Sequence, residues 1–313
     1  MAEPVVSVER LSKTFRTAMG LKTVRAVRDV SFEVARGEIF GFVGPNGAGK
    51  TTTIRTLIGL IKPTTGRCTV LGAPVPSPAA RARLGFLPES PYFYEYLTVR
   101  ELLDLTGRLF GLDRALRRRR GGELIERVGL GEAADRPLRK LSKGMLQRAG
   151  LAQALMNDPE LVILDEPMSG LDPIGRKQVR DLIIELQEAG KTVFFSTHIL
   201  TDVEAICDRV AIIVAGKVDE VGPVAHVLDS SLTGTEVVVR PRAPIEPLLP
   251  ATATLRHSGR DGEDEITITL GADVDVTALL VSLSQVARVV SVVPRRESLE
   301  DVFLRKAAKG DAA

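Results

Sequence analysis

The residues with the clearest chemical meaning form a glycine-rich segment, GPNGAGKT, at positions 44–51. An apolar run at 39–43 precedes it, and a helical pattern begins near Lys50. Glycines let backbone N–H groups turn toward phosphate oxygens, and a helix N-terminus adds a positive potential. The G-x-x-x-x-G-K-[ST] spacing in this strand–loop–helix context therefore predicts a nucleoside triphosphate site.

Two side chains of this segment have separate expected roles. Lys50 suits the β- and γ-phosphates, and the Thr51 hydroxyl suits Mg²⁺. An incidental glycine turn would match the four fixed positions by chance in about one chain of this length in a hundred. The expected nucleotide contacts run through the loop into the first helical turn: Gly44, Pro45, Asn46, Gly47, Ala48, Gly49, Lys50, Thr51 and Thr52.

A second candidate cluster is LVILDEP at 161–167, a buried strand that ends in two carboxylates. Asp165 is expected in the outer coordination sphere of Mg²⁺, and Glu166 beside the γ-phosphate as a base that polarises water. Alone, the pattern fits a strand ending in solvated acids equally well, but the phosphate loop in the same chain favours catalysis. His198 follows the apolar strand 192–196 and is therefore expected at the same carboxyl edge of the sheet.

The elements that must position these residues alternate between apolar runs and helical patterns from residue 38 to about 228, which predicts a parallel sheet covered on both faces. Residues 5–10 and 24–34 alternate as an antiparallel edge does, and helical periodicity dominates residues 98–155. The fold class is thus α/β, a P-loop NTPase core with antiparallel β and helical subdomains. Strands are predicted at 39–43, 83–87, 161–164, 192–196 and 209–214, and helices at 50–59, 175–189 and 199–207.

The sequence changes character near Ser230, and the proline-rich stretch 241–250 is interpreted as the end of the first domain. A small C-terminal α+β domain is predicted after it, with strands at 265–270 and 289–293 and helices at 276–283 and 299–309. The predicted boundaries are 1–228 for the nucleotide domain, with a helical subdomain at about 98–157, and 229–313 for the accessory domain.

Composition excludes several classes of protein. The 313 residues carry a net charge of +2, which gives no argument for nucleic acid as a partner. No apolar run approaches the roughly 18–20 residues that cross a bilayer, so we expect a cytoplasmic chain. Cys68 and Cys207 are interpreted as buried apolar residues, and the block Arg117–Arg120 as an exposed helix face.

The base of the nucleotide is predicted from two features. An N-K-x-D sequence that would read guanine is absent, because neither Asn46 nor Asn157 precedes a lysine. Phe15 lies in an otherwise polar upstream segment and could stack on a purine face. ATP is therefore favoured over GTP.

LSKGM at 141–145, followed by Gln147 and Arg148, lies 16 residues before the acidic strand and resembles the LSGGQ signature of ATP-binding cassette (ABC) ATPases. The order of motifs also resembles this family, over roughly residues 4–225: an aromatic residue (Phe15), the Walker A loop (44–51), a Q-loop region (85–89), the signature, Walker B (161–166), an SGLD D-loop (169–172) and a switch histidine (His198).

The resemblance implies a site shared between two chains. Ser142 and Gly144 begin a helix, whose N-terminus is an anion-binding position, although the nucleotide already occupies the helix at Lys50. In the family, two cassettes pair head-to-tail, so Ser142 and Gly144 are expected on the partner's γ-phosphate, with Asp172 at the same interface.

Three positions depart from the family pattern. Glu89 replaces the Q-loop glutamine and is expected to orient water or contact Mg²⁺, while Lys143 and Met145 replace a glycine and the glutamine of the signature. Such variants, and the closing ESLEDVFL at 297–304, resemble ATPase subunits of ABC-2 exporters.

The implied function is the ATPase subunit of an exporter, held at the inner face of the cell membrane by a separate permease. The expected docking surface lies near Tyr92–Tyr96 and Leu97–Leu103, residues that would otherwise belong to the core. A soluble ABC ATPase acting on DNA or the ribosome is one alternative, although such relatives usually carry two cassettes, a coiled-coil insertion or zinc cysteines. A regulatory ATP sensor is another, which Glu89 and Met145 favour and Glu166, His198 and Thr51 oppose.

Overall fold

The computed structural model describes residues 3–16, 23–229, 232–257 and 265–296. The chain divides into two compact units, Met1–Val224 and Ala225–Ala313. The strands of the first unit are β1 (Val6–Arg16), β2 (Thr23–Val34), β3 (Ile39–Val43), β4 (Thr65–Val70), β5 (Ala73–Pro74), β6 (Leu84–Leu87), β7 (Leu161–Asp165), β8 (Thr192–Thr197), β9 (Arg209–Val214) and β10 (Lys217–Pro223). Its helices are α1 (Lys50–Leu57), α2 (Pro78–Ala82), α3 (Val99–Leu109), α4 (Arg114–Arg127), α5 (Lys143–Ala154), α6 (Pro173–Glu188) and α7 (Leu200–Ile206); α8 (Val224–Asp229) crosses the boundary between the units.

The central sheet has the strand order β10-β9-β3-β8-β7-β6, parallel except for β10. Its five parallel strands confirm the strands predicted from apolar runs, each within one residue. Strand β10 was not predicted, because its sequence KVDEVGP alternates between half-buried and exposed residues at an edge and contains no continuous apolar run.

A second sheet, of order β2-β1-β4-β5, is antiparallel, as the alternating residues 5–10 and 24–34 predicted. It packs on the central sheet through one core that includes Phe32, Phe40, Phe42 and Phe194, with ring centroids 5.3–6.0 Å apart. Aromatic rings at these separations add stability beyond their buried area. This core fixes β2 next to β3, which is the strand that carries the glycine-rich loop.

The predicted helical insertion is observed as α3, α4 and α5, with 3₁₀ turns at Gly131–Ala133 and Leu138–Lys140. Thr98 begins α3 with a capping box, in which Thr98 Oγ1 accepts from the Glu101 amide and Glu101 Oε2 accepts from the Thr98 amide. No helix among the described residues is both long enough and apolar enough to span a bilayer.

The block 117–120 is not the uniformly exposed helix face that the sequence predicted. Arg117 Nε donates to Asp104 Oδ1 at 2.7 Å, and Arg120 Nη2 lies 3.0 Å from Asp158 Oδ2. Both side chains are largely covered, whereas the intervening residues, 118 and 119, are exposed. The side chains of four consecutive residues point in all directions around a helix, so they cannot all face solvent when one side of the helix is packed against the protein.

The second unit is a four-stranded antiparallel sheet of order β12-β13-β11-β14 with one helix, as an α+β domain was predicted. Its elements are β11 (Leu232–Pro241), β12 (Thr254–His257), β13 (Ile266–Gly271), α9 (Val276–Val286) and β14 (Ala287–Arg296). The stretch 241–250, expected to end the first domain, lies instead inside this unit, where it runs from the last residue of β11 toward β12. The helix predicted at 299–309 and the ESLEDVFL segment lie outside the described residues.

Candidate nucleotide site

The glycine-rich loop connects β3 to α1 and is held tightly against neighbouring strands. The Gly44 amide donates to Thr197 O at 3.2 Å, and a Cβ on Gly44 would lie 2.3 Å from Ile213 O. Gly49 has φ 107°, and a Cβ there would lie 2.4 Å from Ala26 O. Only glycine fits such contacts, so these glycines serve close backbone approach as well as the turn.

A pocket of about 260 Å³ opens on this loop. Its lining brings together most of the predicted phosphate contacts with two of the predicted carboxylates, and it adds Ala26 of β2, which the sequence did not indicate. The lining residues are Ala26, Pro45, Asn46, Gly47, Gly49, Lys50, Thr51, Thr52, Glu89 and Glu166.

Lys50 is buried beneath the loop, where its ammonium has two hydrogen-bond acceptors and one nearby carboxylate oxygen. Nζ donates to Gly44 O at 2.6 Å and to Pro45 O at 3.3 Å, and it lies 3.1 Å from Glu166 Oε1. Glu166 Oε1 accepts no aligned hydrogen bond from a described residue, so its interaction with Lys50 is mainly electrostatic. Phosphate oxygens entering the pocket would meet an ammonium that is already positioned at the loop.

Asp165 ends β7 and is almost fully buried, with 1% of its surface exposed. Burial raises the pKa of its carboxyl, while hydrogen bonds from Ser196 and Thr51 oppose this shift. Ser196 Oγ donates to Asp165 Oδ1 at 2.6 Å. The Thr51–Asp165 contact places the hydroxyl and the carboxylate predicted for Mg²⁺ side by side.

The raised pKa of Asp165 leads to a stability prediction. A carboxyl whose pKa is higher in the folded than in the unfolded chain stabilises the fold when protonated, and this contribution is lost as pH rises through the folded pKa. Asp165→Asn should therefore raise the Tm of the metal-free protein at neutral pH by about 2–4 °C, the shift that ~1 kcal/mol gives in a domain of this size. Thermal unfolding at decreasing pH should show the gain shrinking, and an Asn variant less stable at neutral pH would contradict the prediction.

Glu166 adopts φ 50°, a backbone conformation that non-glycine residues rarely occupy. Two hydrogen bonds hold this conformation, because the Glu166 amide donates to Ser196 O at 3.2 Å and to Ser196 Oγ at 3.1 Å. The turn directs the carboxylate toward His198, whose Nδ1 lies 2.9 Å from Glu166 Oε2. Strain of this kind is typical of functional positions.

His198 follows β8 and is 41% exposed at the side chain, whereas the Glu166 side chain is 7% exposed. The sequence predicted that these two residues share an edge of the sheet with Asp165, and the structure brings all three together. Ser196 was missed. Ser196 lies opposite Asp165 in the parallel register of β7 and β8. Its position at the end of the strand next to β7 is the sequence signal that could have indicated it.

Phe15 does not line the pocket, but it lies on β1 beside β2, the strand that contributes Ala26 to the lining. Phe15 pairs with Val24 across β1 and β2, and Ala26 is two residues further along β2. Side chains two apart on a strand share a face, at about 6.6 Å spacing. Phe15 is 39% exposed, with Lys13 Nζ 5.1 Å from the ring centroid.

The signature segment is also absent from the pocket lining and lies against the D-loop. Ser142 Oγ accepts from the Met145 amide at 3.3 Å and caps α5. A Cβ on Gly144 would lie 3.2 Å from Leu171 Cδ2, and one on Gly170 would lie 2.7 Å from Lys143 Nζ. These two segments therefore form one surface.

Two further contacts fix that surface. Gln147 is buried and its Nε2 donates to Pro167 O at 3.3 Å, which links α5 to the end of the acidic strand. Asp172 Oδ1 accepts from the Gly175 amide at 2.7 Å and caps α6. The starts of α5 and α6 are thus held in place by side chains from both predicted motifs.

The donor groups present fit a nucleotide with Mg²⁺. Mg²⁺ prefers one or two protein carboxylates together with phosphate oxygens and water. Thr51 and Asp165 are in contact, and the described residues contain no group of three or more metal-binding side chains that would form a complete protein cage. The remaining ligands would come from phosphate, at a loop whose glycines leave room for it.

Residues 27–169 match the ABC transporter family. An uncharacterized ABC transporter ATP-binding protein of Synechocystis sp. is 45% identical over 306 residues, covering 96% of this chain and 84% of that one. The Nod factor export ATP-binding protein I of Bradyrhizobium diazoefficiens is 36% identical, with 93% of each chain covered. Both alignments extend well beyond the nucleotide pocket.

Solved structures of ABC transporter subunits also resemble this chain. The ATP-binding subunit of an ABC transporter superposes with a TM-score of 0.65 at 33% identity, covering 72% of this chain and 92% of that one. A dimeric ATP-binding cassette, bound to ADP and Pi in a post-hydrolysis state, gives a TM-score of 0.65 at 26% identity, covering 70% and 98%.

Proposed function

Because the chain belongs to the family of ABC transporter ATP-binding proteins, we propose that it hydrolyses Mg²⁺-ATP on the Gly44–Thr51 loop to power an exporter with a separate permease. The observation that carries the proposal is the placement of Glu166. Its two carboxylate oxygens lie 3.1 Å from Lys50 Nζ and 2.9 Å from His198 Nδ1, at the edge of the phosphate pocket.

Each residue of the site has a separate role in binding or hydrolysing ATP. The loop amides and Lys50 would bind the β- and γ-phosphates, and Thr51 and Asp165 would hold Mg²⁺, which would neutralise phosphate charge. Glu166 accepts a proton from the attacking water, and His198 orients that carboxylate. Glu89, on the pocket wall, is a second carboxylate that can orient water or contact the metal. Phe15, on β1 opposite Val24 of β2, offers a stacking surface for adenine.

The site is proposed to be half of a shared one. Ser142 and Gly144 stand at the N-terminus of α5 but do not line the pocket of their own chain. A helix N-terminus attracts anions, and the adjoining D-loop, with Asp172, lies on the same surface. In a head-to-tail pair of cassettes, these groups would contact the γ-phosphate of the ATP that is bound to the second cassette.

The exporter class and the docking surface are proposals that rest on two supports. Relatives named Nod factor export ATP-binding protein I align over both units of the chain. Tyr92, Tyr94 and Tyr96 are 99%, 61% and 70% exposed, an unusual concentration of surface aromatics. They follow Glu89 of the pocket wall within a few residues, so a permease bound there would lie next to the site.

The docking surface can be tested by purification from membranes. We expect a tagged chain, extracted gently, to retain a multi-spanning protein, and Tyr92→Ala with Tyr94→Ala to reduce that recovery at least tenfold, as loss of aromatic interface anchors does. Leu60→Ser is the matched control, because Leu60 is 65% exposed on the same unit but far in sequence from the tyrosines. Recovery of no membrane protein, or equal loss in the control, would contradict the proposal.

A further inference from the structure

The turn between α3 and α4 presents apolar side chains to solvent. Leu109 ends α3 and is 80% exposed, and Phe110 follows it at 41% exposed. Gly111, with φ 73°, reverses the chain, and Asp113 caps α4 by accepting from the Leu116 amide at 2.8 Å. The turn is therefore well ordered by hydrogen bonds, and its apolar residues are displayed at the tip of a helical hairpin.

Basic residues surround this tip. Between positions 104 and 123 the sequence has six arginines and three carboxylates, whereas Lys and Arg exceed Asp and Glu by only two in the whole chain. Asp104 is shared by Arg108 and Arg117, at 2.8 and 2.7 Å. Arg114 and Arg118 are exposed and form no ion pair with a described residue.

We infer that this hairpin tip, residues 108–118, is a contact site for the surface of an anionic lipid bilayer. Exposed Leu and Phe flanked by arginines match the chemistry of a membrane interface, where apolar side chains enter the acyl boundary and guanidinium groups bind lipid phosphates. Leu109 and Phe110 supply the apolar part, and Arg114 and Arg118, one helical turn apart, supply the charge.

Charge complementarity favours an anionic lipid bilayer over an apolar protein groove as the partner of the hairpin tip. The two arginines would be desolvated without partners in an apolar groove, whereas anionic headgroups supply phosphates and the bilayer accepts Phe110 beside them. The inference does not rest on the proposed transport function, because it concerns the isolated chain and no pocket residue takes part. The contact would help hold the ATPase at the membrane.

The chain lacks tryptophan, which gives a clean spectroscopic test. The variant Phe110→Trp should show a blue-shifted emission when vesicles of phosphatidylcholine and phosphatidylglycerol are added, and little shift with phosphatidylcholine alone or in high salt. Leu60→Trp, at another exposed apolar position, is the control and should not shift. An unshifted Phe110→Trp spectrum would overturn the inference.

Cosedimentation with the same vesicles tests the charges. Arg114→Gln with Arg118→Gln should lower partitioning about 25-fold, since each arginine near an anionic surface contributes roughly fivefold. Arg81→Gln, at an exposed position on α2, should leave partitioning unchanged. Equal vesicle binding by the double variant and the wild type would overturn the inference. A wild type that binds no vesicles, with a double variant that loses the permease, would also overturn it, because the tip would then be assigned to a protein partner.

Discussion

Glu166→Gln is expected to lower ATP turnover by about 10²–10⁴-fold, the range that general base catalysis contributes. The amide keeps the size of the side chain but cannot accept a proton from water. The substitution also removes the negative charge 3.1 Å from Lys50 Nζ, which leaves the ammonium free to bind phosphate. ATP should therefore bind at least as tightly as in the wild type, and the nucleotide-bound dimer should accumulate.

Single-turnover hydrolysis and equilibrium binding of labelled ATP separate these two effects. Glu132→Gln, a matched change at an exposed position of the same unit, should alter neither. Wild-type turnover in Glu166→Gln would assign the base to another residue, and Glu89 would be the next candidate on the pocket wall. A variant that failed to bind ATP would show that Glu166 acts in binding rather than in proton transfer.

The sequence predicted those parts of the site whose chemistry depends on local spacing. Lys50 and Thr51 are fixed by their place at the start of α1, and Asp165 and Glu166 by the end of a buried strand. The convergence of Glu166 and His198 follows from one further rule, that the carboxyl ends of parallel strands meet at one edge. The spatial order of the strands was not needed for this prediction.

What the sequence did not show depends on contacts between distant segments. Ser196 fixes both Asp165 and the Glu166 amide, but a serine near the end of a strand has no distinctive pattern. Ala26 enters the pocket because Gly49 packs on its carbonyl. Likewise, Arg117 and Arg120 resemble solvated charge until the positions of Asp104 and Asp158 are known.

Mixing two inactive variants should restore ATP turnover if the site is shared between two chains. Lys50→Ala removes the phosphate-binding ammonium, and Gly144→Asp places a negative charge where the partner's γ-phosphate is expected. Each variant alone should lose at least 99% of its turnover, as loss of a preorganised phosphate contact does. Equal mixing should restore about a quarter of wild-type sites, because a mixed two-fold dimer rebuilds one intact site from two chains.

The structure indicates that Gly144→Asp will fold. Its backbone lies in the first turn of α5, where an acidic residue is compatible with the helix dipole, and its Cβ would need only a small shift of Leu171 at 3.2 Å. Gly122→Asp, on an open position of α4, is the matched control and should remain active. If loop and signature served the same chain, mixing would restore nothing, because every site would keep its own defect; restored turnover requires that Ser142 and Gly144 act across the dimer.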